Sequence, residues 1–195
     1  MPANALEATF RAFLEQVETS TGYRFDDECR QETPRRIARM FLELVLSPEA
    51  ISQEAERILS KKFSAKYRAM ISYEDITSIG LCPHHLLPVH YKLLVAYIPD
   101  NLVIGASKFS RLAKVLAKQP ILQEDYTTLI SETIQKHLQP RGVAVIVRGR
   151  HSCMSSRGVR DNATMVTSAL TGLFLENDKG CKDELLALAN KGRSA

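Results

Sequence analysis

Apolar side chains in the first third of the chain recur every three or four residues, which is the spacing of one face of an α-helix. The first such run lies between Leu6 and Val17. A second helix is predicted to begin at Thr33-Pro34, because threonine is a good N-cap and proline is tolerated at the first helical position. A third is predicted over residues 48–59. The pattern therefore predicts an N-terminal helical region over residues 1–62.

From residue 65 the apolar residues alternate with polar ones, as in a half-buried strand. The alternating positions are Ala65, Tyr67, Ala69, Ile71 and Tyr73. A second strand is predicted over 91–98, and two more over 143–147 and 165–174. This part of the chain is expected to pair its strands around the cysteine-histidine segment at 82–85.

Two helices are predicted between the second and third strands. The first starts with Ser107 as its N-cap and ends at Pro120, and the second runs from Leu122 to Leu138. A short helix is predicted over 183–190. The order ββααββ indicates an α+β fold over residues 63–195, with a mainly antiparallel sheet and helices on one face. No linker or repeat separates this region from the helical one, so a single functional domain is expected.

The composition, 45% hydrophobic and 25% charged, is typical of a globular protein. No apolar stretch approaches the roughly 20 residues of a membrane helix, so no membrane partner is expected. Met1–Asn4 lacks the basic region and apolar core of a secretory signal, which favours a cytoplasmic location. A net charge of +4 is too mild to require nucleic acid but is compatible with an anionic substrate.

The four cysteines are far apart, which excludes a dense disulfide scaffold and favours free thiols or metal ligands. Cys29 and Cys181 have no histidine nearby and are expected to be structural. Cys82 and Cys153 each lie next to histidines. A catalytic zinc site uses three protein ligands and leaves the fourth position to water. Cys82, a histidine of the following segment and Cys153 can supply that set.

The histidines outnumber the ligands that such a site needs. On an extended backbone the consecutive His84 and His85 point to opposite faces, and the spacing from Cys82 to His85 suits a turn. We therefore assign His85 to the metal, and His84 with His151 to acid/base chemistry, for which a near-neutral pKa suits imidazole. The alternative for each is an ordinary hydrogen-bonding role.

Positive charge is concentrated between residues 101 and 160, where the sequence has ten Lys or Arg residues and three acidic residues. At a helix start, free N–H groups and the helix dipole favour an anion. The basic and polar positions near such starts or near the cysteines are Ser107, Lys108, Arg111 and Arg157. They suggest a polyphosphate ligand. Glu124 is suited to paired ring donors such as those of guanine, unless it is an ordinary first-turn acid.

Several runs of the sequence resemble, in order, the motifs of the GTP cyclohydrolase I family. They are Thr33 to Ala38, Leu81 to Pro88, Val95 to Pro99, Ile104 to Lys108, Leu122 to Glu124, His151 to Gly158 and the end from Thr167 to Phe174. The resemblance covers about residues 6–190. It implies a tunnelling fold (T-fold) in residues 63–195, whose subunits join their sheets into a toroidal homo-oligomer, a decamer of two pentameric rings with active sites at subunit boundaries.

The resemblance also implies roles for individual residues. Cys82, His85 and Cys153 would bind Zn²⁺, and His84 and His151 would transfer protons. Gln123 and Glu124 would hold guanine, while Ser107, Lys108, Arg111, Arg157 and Arg36 would hold the ribose and triphosphate. The implied reaction is hydrolytic opening of the imidazole ring of GTP with release of formate. Its product, 7,8-dihydroneopterin triphosphate, is the entry compound of folate and pterin synthesis.

Two positions depart from the family pattern. Pro83 stands where the family usually has glutamate, and Tyr91 stands where it usually has glycine. Because of them, an alternative is a T-fold paralogue that acts on another purine nucleotide triphosphate or stops at ring opening. A second alternative is a non-catalytic ring subunit that binds a nucleotide.

Overall fold

The structure is a computed structural model that describes residues 2–176 and 180–191. Its contacts divide the chain into two compact units, Met1–Leu46 and Ser47–Ala195. The third predicted helix therefore belongs to the unit that contains the sheet. The division by function at residue 62 stays a prediction, and residues 177–179 and 192–195 of its second region lie outside the described part.

The first unit consists of two helices, α1 (Pro2–Thr21) and α2 (Asp27–Leu44). They pack through their apolar faces, and the rings of Phe10 and Phe41 are stacked with centroids 5.5 Å apart. The first predicted helix is thus confirmed and extended at both ends. Met40 of α2 is 42% exposed.

The predicted start of α2 at Thr33-Pro34 is wrong. The helix begins two turns earlier, where the Asp26 side chain accepts a hydrogen bond from the Cys29 backbone N–H at 2.7 Å. Pro34 lies inside the helix and has no N–H to donate to the Arg30 carbonyl four residues back. The Arg11 guanidinium donates to that carbonyl at 3.1 Å, so the missing bond is replaced from α1.

The second unit begins with α3 (Pro48–Leu59), whose bounds agree with the prediction. The Ser47 side chain caps it by accepting from the Ala50 N–H at 3.2 Å. Next, β1 (Lys62–Ser64) pairs with β4 (Leu102–Ile104) in a small antiparallel ribbon.

The main sheet has four antiparallel strands in the order β2 (Ile71–Leu81), β3 (Pro88–Ile98), β5 (Gly142–His151), β6 (Met165–Leu170). The mainly antiparallel sheet is therefore confirmed. The strand predicted from Ala65 is wrong at its start: residues 65–70 lie outside any strand, and β2 instead continues to the cysteine at 82. The alternation of apolar and polar residues over 65–69 therefore does not correspond to pairing with another strand.

Helices cover both faces of this sheet, which corrects the expectation of helices on one face. Tyr91 and Tyr97 of β3 face α4 (Ser107–Leu116) and α5 (Gln123–Leu138). The alternate β3 residues Leu94, Ala96 and Ile98 cluster with Phe174 and Leu185 on the other face. Phe174 ends a 3-10 turn, Gly172–Phe174, and Leu185 belongs to the C-terminal helix, Cys181–Lys191.

Candidate metal and nucleotide site

Cys82 and His85 lie on a tight turn that joins β2 to β3. The Leu86 N–H donates to the Cys82 carbonyl at 2.8 Å, and the Cys82 N–H donates to the Leu87 carbonyl at 2.9 Å. Leu86 closes the turn with φ of 53°, in the left-handed region that costs energy for a residue with a Cβ. Cys82 is buried and His85 is exposed, so the turn presents the imidazole above the thiol.

Cys153 reaches the same place from the neighbouring strand. Val89 at the start of β3 pairs with His151 at the end of β5, and β5 is followed directly by the short helix α6 (Ser152–Ser155). The two sulfur atoms of Cys153 and Cys82 are 3.7 Å apart. The ligand atoms of Cys82, His85 and Cys153 all lie within 4.8 Å of one another, so the predicted three residues are brought together.

The spacing of these atoms fits zinc. With Zn–S bonds of about 2.3 Å, a tetrahedral ion holds two sulfurs about 3.8 Å apart. The observed Sγ–Sγ distance is 3.7 Å, and the distance from Cys82 Sγ to His85 Nδ1 is 3.9 Å. Two thiolates and one imidazole leave one tetrahedral position for water. The donor set and its geometry therefore suit a catalytic zinc ion.

The protonation of the thiols leads to the same expectation. Burial raises the pKa of Cys153, and the adjacent Cys82 raises that pKa further, while the Arg157 charge acts in the opposite direction. Two neighbouring thiols cannot both ionise easily without a cation between them. A divalent ion would make both thiolates stable.

His84 lies as close to Cys82 as His85 does. Its Nδ1 is 3.9 Å from the Cys82 sulfur, and its ring centroid is 6.3 Å from that of His85. The consecutive histidines therefore both face the cysteine, because the turn is not extended. Only His85 completes a three-residue cluster with Cys153. His84 therefore lies beside the cluster without being one of its three members.

His151, the last residue of β5, is held by a side chain from α5. Its Nε2 lies 3.0 Å from Oε1 of Gln123, the first residue of that helix. Burial lowers the pKa of His151, and the nearby Glu124 charge partly opposes this. The neutral imidazole is therefore favoured near pH 7. Glu124 itself is exposed in the first turn of α5.

Tyr91 lies buried under this corner of the site. Its ring stacks on Tyr126 with centroids 4.8 Å apart, and its hydroxyl has no hydrogen-bond partner among the described residues. Burial, with the charges of Cys82 and Glu124, raises the pKa of Tyr91 to about 12. The Tyr91 side chain thus fills buried space next to Tyr126. Pro83, the other departure from the family pattern, is exposed on the turn.

The predicted phosphate-binding residues are spread over several elements. Ser107 is the first residue of α4 and does not cap it, contrary to expectation. The other end of α4 lies near the end of β2, since a Cβ added at Gly80 would lie 3.4 Å from the Ala117 carbonyl. Ten residues of helix place Ser107 about 15 Å from that end. Within the described chain, the Ser107 and Lys108 side chains form no hydrogen bond or ion pair that fixes them.

The remaining basic residues differ in their surroundings. Arg111, exposed on α4, lies near enough to Glu54 to lower the pKa of that carboxyl, although Arg57 has the larger effect. Arg157 is exposed just after α6. Arg36 lies on α2 of the first unit, where its guanidinium pairs with Glu28 at 2.7 Å. Of these cations, only Arg157 acts on the cysteine pair.

A cavity of about 270 Å³ adjoins His151 and α6. Its polar lining includes His90, Arg150, Ser152 and Asn162. Arg150 is not among the site residues predicted from the sequence, although it lies beside His151 at the end of a β-branched strand. This lining adds a cation next to the cluster.

Known proteins match this chain over nearly its whole length. The family model described as GTP cyclohydrolase I matches residues 6–190. This chain belongs to the GTP cyclohydrolase I family. The family predicted from the motifs is therefore confirmed, and so is the expectation of an enzyme.

Two curated relatives of the family illustrate the extent of the match. A GTP cyclohydrolase 1 from Sulfurihydrogenibium sp. (strain YO3AOP1) is 40% identical over 188 residues, 96% of this chain and 95% of that protein. One from Clostridium perfringens (strain ATCC 13124) is 41% identical over 158 residues, 80% and 83% of the two chains. A solved structure titled as an archaeosine synthase QueF-Like in the apo form aligns with a TM-score of 0.44 at 17% identity, covering 55% of this chain and 96% of that one.

Among the described residues, no helix has the length and apolar character to cross a membrane.

Proposed function

We propose that this chain is a zinc-dependent GTP cyclohydrolase I, which opens the imidazole ring of GTP by hydrolysis, releases formate and forms 7,8-dihydroneopterin triphosphate. The observation that carries the proposal is the Cys82, His85 and Cys153 cluster in a chain of this family. Cys82, His85 and Cys153 would hold the zinc ion, and zinc bound there would supply a water activated for attack at neutral pH. The two remaining histidines, His84 and His151, supply the proton transfers.

His84 and His151 suit this role for different reasons. His84 Nδ1 lies 3.9 Å from the Cys82 sulfur, so a substrate at the metal is within reach of its ring. His151 is kept neutral near pH 7 by its burial, which suits a group that accepts a proton and then returns it. The guanine ring loses one carbon as formate, and each C–N bond broken requires a proton on the leaving nitrogen. Two imidazoles next to the cluster can deliver these protons.

Glu124 is our candidate for recognition of guanine. Its carboxylate is exposed in the first turn of α5, close enough for its charge to act on both His151 and Tyr91. A carboxylate can accept two hydrogen bonds from adjacent ring donors. Gln123 was predicted to share this role, but both of its amide hydrogens are engaged by protein acceptors. We therefore assign the guanine edge to Glu124.

The triphosphate would be bound by basic and polar side chains from several elements. Arg157 follows α6 and already acts on Cys153. At the start of α4 the Lys108 N–H donates to the Gly105 carbonyl at 2.9 Å, and the positive end of the helix dipole favours an anion there. The residues proposed to hold the ribose and phosphates are Ser107, Lys108, Arg111, Arg157 and Arg36.

We further propose the tunnelling fold and a ring-shaped homo-oligomer, a decamer, as in the family pattern. The strands β2 and β6 are the outer strands of the four-stranded sheet. Each bears an apolar side chain that is about half exposed, Ile79 at 49% and Val166 at 50%. Edges of this kind invite pairing with another chain. Ser107, at the proposed phosphate-binding start of α4, is about 15 Å from the other end of that helix, which lies near the end of β2. This separation is compatible with active sites that are shared between subunits. A cytoplasmic location stays a prediction.

Product analysis tests the proposal. Zinc-loaded protein incubated with GTP is expected to release formate and to yield a pterin that becomes fluorescent after oxidation, with mass spectrometry identifying the triphosphate product. Cys153→Ser protein is the control without a complete metal site. Zinc bound at one per chain with neither formate nor pterin formed would overturn the proposal.

Tyr91 favours one alternative, a paralogue that acts on another purine nucleotide or stops at ring opening. Its buried ring stacks on Tyr126 and occupies space beside Gly80 and Gly149, where the family usually has only a glycine at position 91. A panel of purine nucleotide triphosphates, assayed for formate and for a formamide intermediate, separates the two. Faster turnover of another nucleotide than of GTP, or accumulation of the formamide, would favour the alternative. Intact histidines argue against a non-catalytic subunit, and binding of nucleotide by the zinc-loaded protein without release of formate would favour it.

A further inference from the structure

The Gln123 side chain is buried, 2% exposed, between α5, β5 and β6. Its Nε2 has three acceptors at 3.1 Å: the Val147 carbonyl, the Met165 carbonyl and the Thr167 hydroxyl oxygen. Carbonyl oxygens only accept hydrogen bonds, so the amide nitrogen must be the atom that faces them. The orientation of the amide is thereby fixed, and its oxygen faces His151.

This orientation determines which nitrogen of His151 carries a hydrogen. Gln123 Oε1 can only accept, and it lies 3.0 Å from His151 Nε2. His151 Nε2 therefore donates, and in the neutral imidazole Nδ1 has the lone pair. The proton exchange that the proposed reaction needs is then confined to Nδ1.

A closed set of hydrogen bonds holds Gln123 in this position. Its Nε2 donates to the Thr167 hydroxyl, which lies 2.6 Å from the Thr127 hydroxyl. Thr127 in turn donates to the Gln123 backbone carbonyl at 2.7 Å. Gly149 leaves the room required, because a Cβ there would lie 2.0 Å from Gln123 Oε1. These hydrogen bonds can therefore all form only when the Gln123 amide has this one orientation.

We propose that Gln123 is a positioning residue, which holds His151 as the Nε2–H tautomer and so makes Nδ1 the nitrogen that exchanges protons with the substrate. This role rests on the proposed function, in which His151 transfers protons. It differs from recognition of guanine, the role that the family resemblance implies for Gln123. The two roles predict different kinetics.

The first test replaces the amide by an apolar side chain of similar shape. Gln123→Met is expected to lower kcat about 10- to 100-fold with KM for GTP within about twofold of the original value, as for loss of an orienting hydrogen bond. Gln135→Met is the matched control, since Gln135 lies on the same helix, part-buried, and bonds to Pro140 away from the cluster. It is expected to keep kcat.

Discrimination between nucleotides separates positioning from recognition. Inosine triphosphate lacks the exocyclic amine of guanine. The ratio of kcat/KM for GTP to that for inosine triphosphate is expected to stay unchanged in Gln123→Met and to fall in Glu124→Gln. A rise in KM with unchanged kcat, or a fall in this ratio, in Gln123→Met would overturn the positioning role.

A second variant disturbs the Gln123 amide through a substitution at a neighbouring residue. Gly149→Ala is expected to displace Gln123 and to lower kcat without raising KM, with zinc content and thermal unfolding used to verify that both variants are folded. The tautomer is read independently by ¹⁵N NMR of histidine-labelled zinc protein, with His151→Gln giving the assignment. A protonated Nε2 is expected, and a protonated Nδ1 would overturn the proposal. This spectrum does not depend on turnover, so it stands apart from failure of the proposed function.

Discussion

Tyr91 and Tyr126 stack on each other near the candidate site, but their hydroxyl groups differ in hydrogen bonding. A pair of substitutions can measure the effect of this difference on stability. The Tyr126 hydroxyl donates to the Ala113 carbonyl at 2.7 Å and lies 2.8 Å from the Ser78 hydroxyl. The Tyr91 hydroxyl is equally buried but has no partner among the described residues. Replacing each by phenylalanine removes one oxygen from the same ring stack. The two variants should change the free energy of unfolding in opposite directions.

The magnitudes follow from the hydrogen bonds lost. A buried polar group without a partner costs about 1–3 kcal/mol, so Tyr91→Phe is expected to raise the free energy of unfolding by about 1 kcal/mol. Tyr126→Phe loses two bonds of about 0.5–1.5 kcal/mol each and is expected to lower it by about 2 kcal/mol. The variants should therefore differ by about 3 kcal/mol, and a change of 1 kcal/mol moves Tm by about 2–4 °C for a chain of this size.

Urea and thermal unfolding at one protein concentration and one zinc concentration measure both variants. The original protein is the common reference, because association and metal binding both shift apparent stability. If Tyr91→Phe lost 1 kcal/mol or more, its hydroxyl would have a partner in solution, and the reasoning from an unpaired buried group would be refuted. A formate assay on the same sample shows whether the hydroxyl also serves the reaction.

Three further changes test other parts of the molecule. Cys153→Ser should sharply reduce zinc measured by mass spectrometry while the chain stays folded, and an unchanged zinc content would contradict the ligand assignment. Gly172→Ala should destabilise by about 2 kcal/mol or more, because Gly172 has φ of 52° and a Cβ would lie 2.1 Å from the Arg141 carbonyl; an unchanged Tm would contradict this. The Phe25 N–H lowers the pKa of Glu18, so the carboxylate stabilises the fold above its unfolded pKa of about 4.3 and this contribution is lost as the pH falls through the folded-state pKa. The Tm deficit of Glu18→Gln should therefore be largest near pH 7 and disappear in acid, and a constant deficit would exclude this origin.

Local signals predicted the elements that have strong caps and clear periodicity. The bounds of α3 agreed because Ser47 and Pro48 mark its start in the sequence. The start of α2 was missed because Pro34 reads as a first-turn residue, whereas a distant Arg11 side chain makes an internal proline tolerable. A hydrogen bond from another helix leaves no trace in local propensity.

The same distinction holds for the site. Residue type and spacing were sufficient to select Cys82, His85 and Cys153, because only a few side chains bind zinc. Their meeting depends on the pairing of Val89 with His151, a contact between segments far apart in the chain. The hydrogen bonds of the Gln123 amide could not be predicted from the sequence, because their carbonyl acceptors, Val147 and Met165, come from two other strands.

The sequence by itself determined the family, the donor chemistry of the candidate metal site, and most of the helices and strands, since these depend on residue type and short-range periodicity. The tertiary structure alone decided which donors meet, which face each helix covers, and which way a buried amide points. Those outcomes depend on strand register and on partners many residues away. The orientation of Gln123 toward His151 is one such case, because the acceptors of its amide come from two other strands.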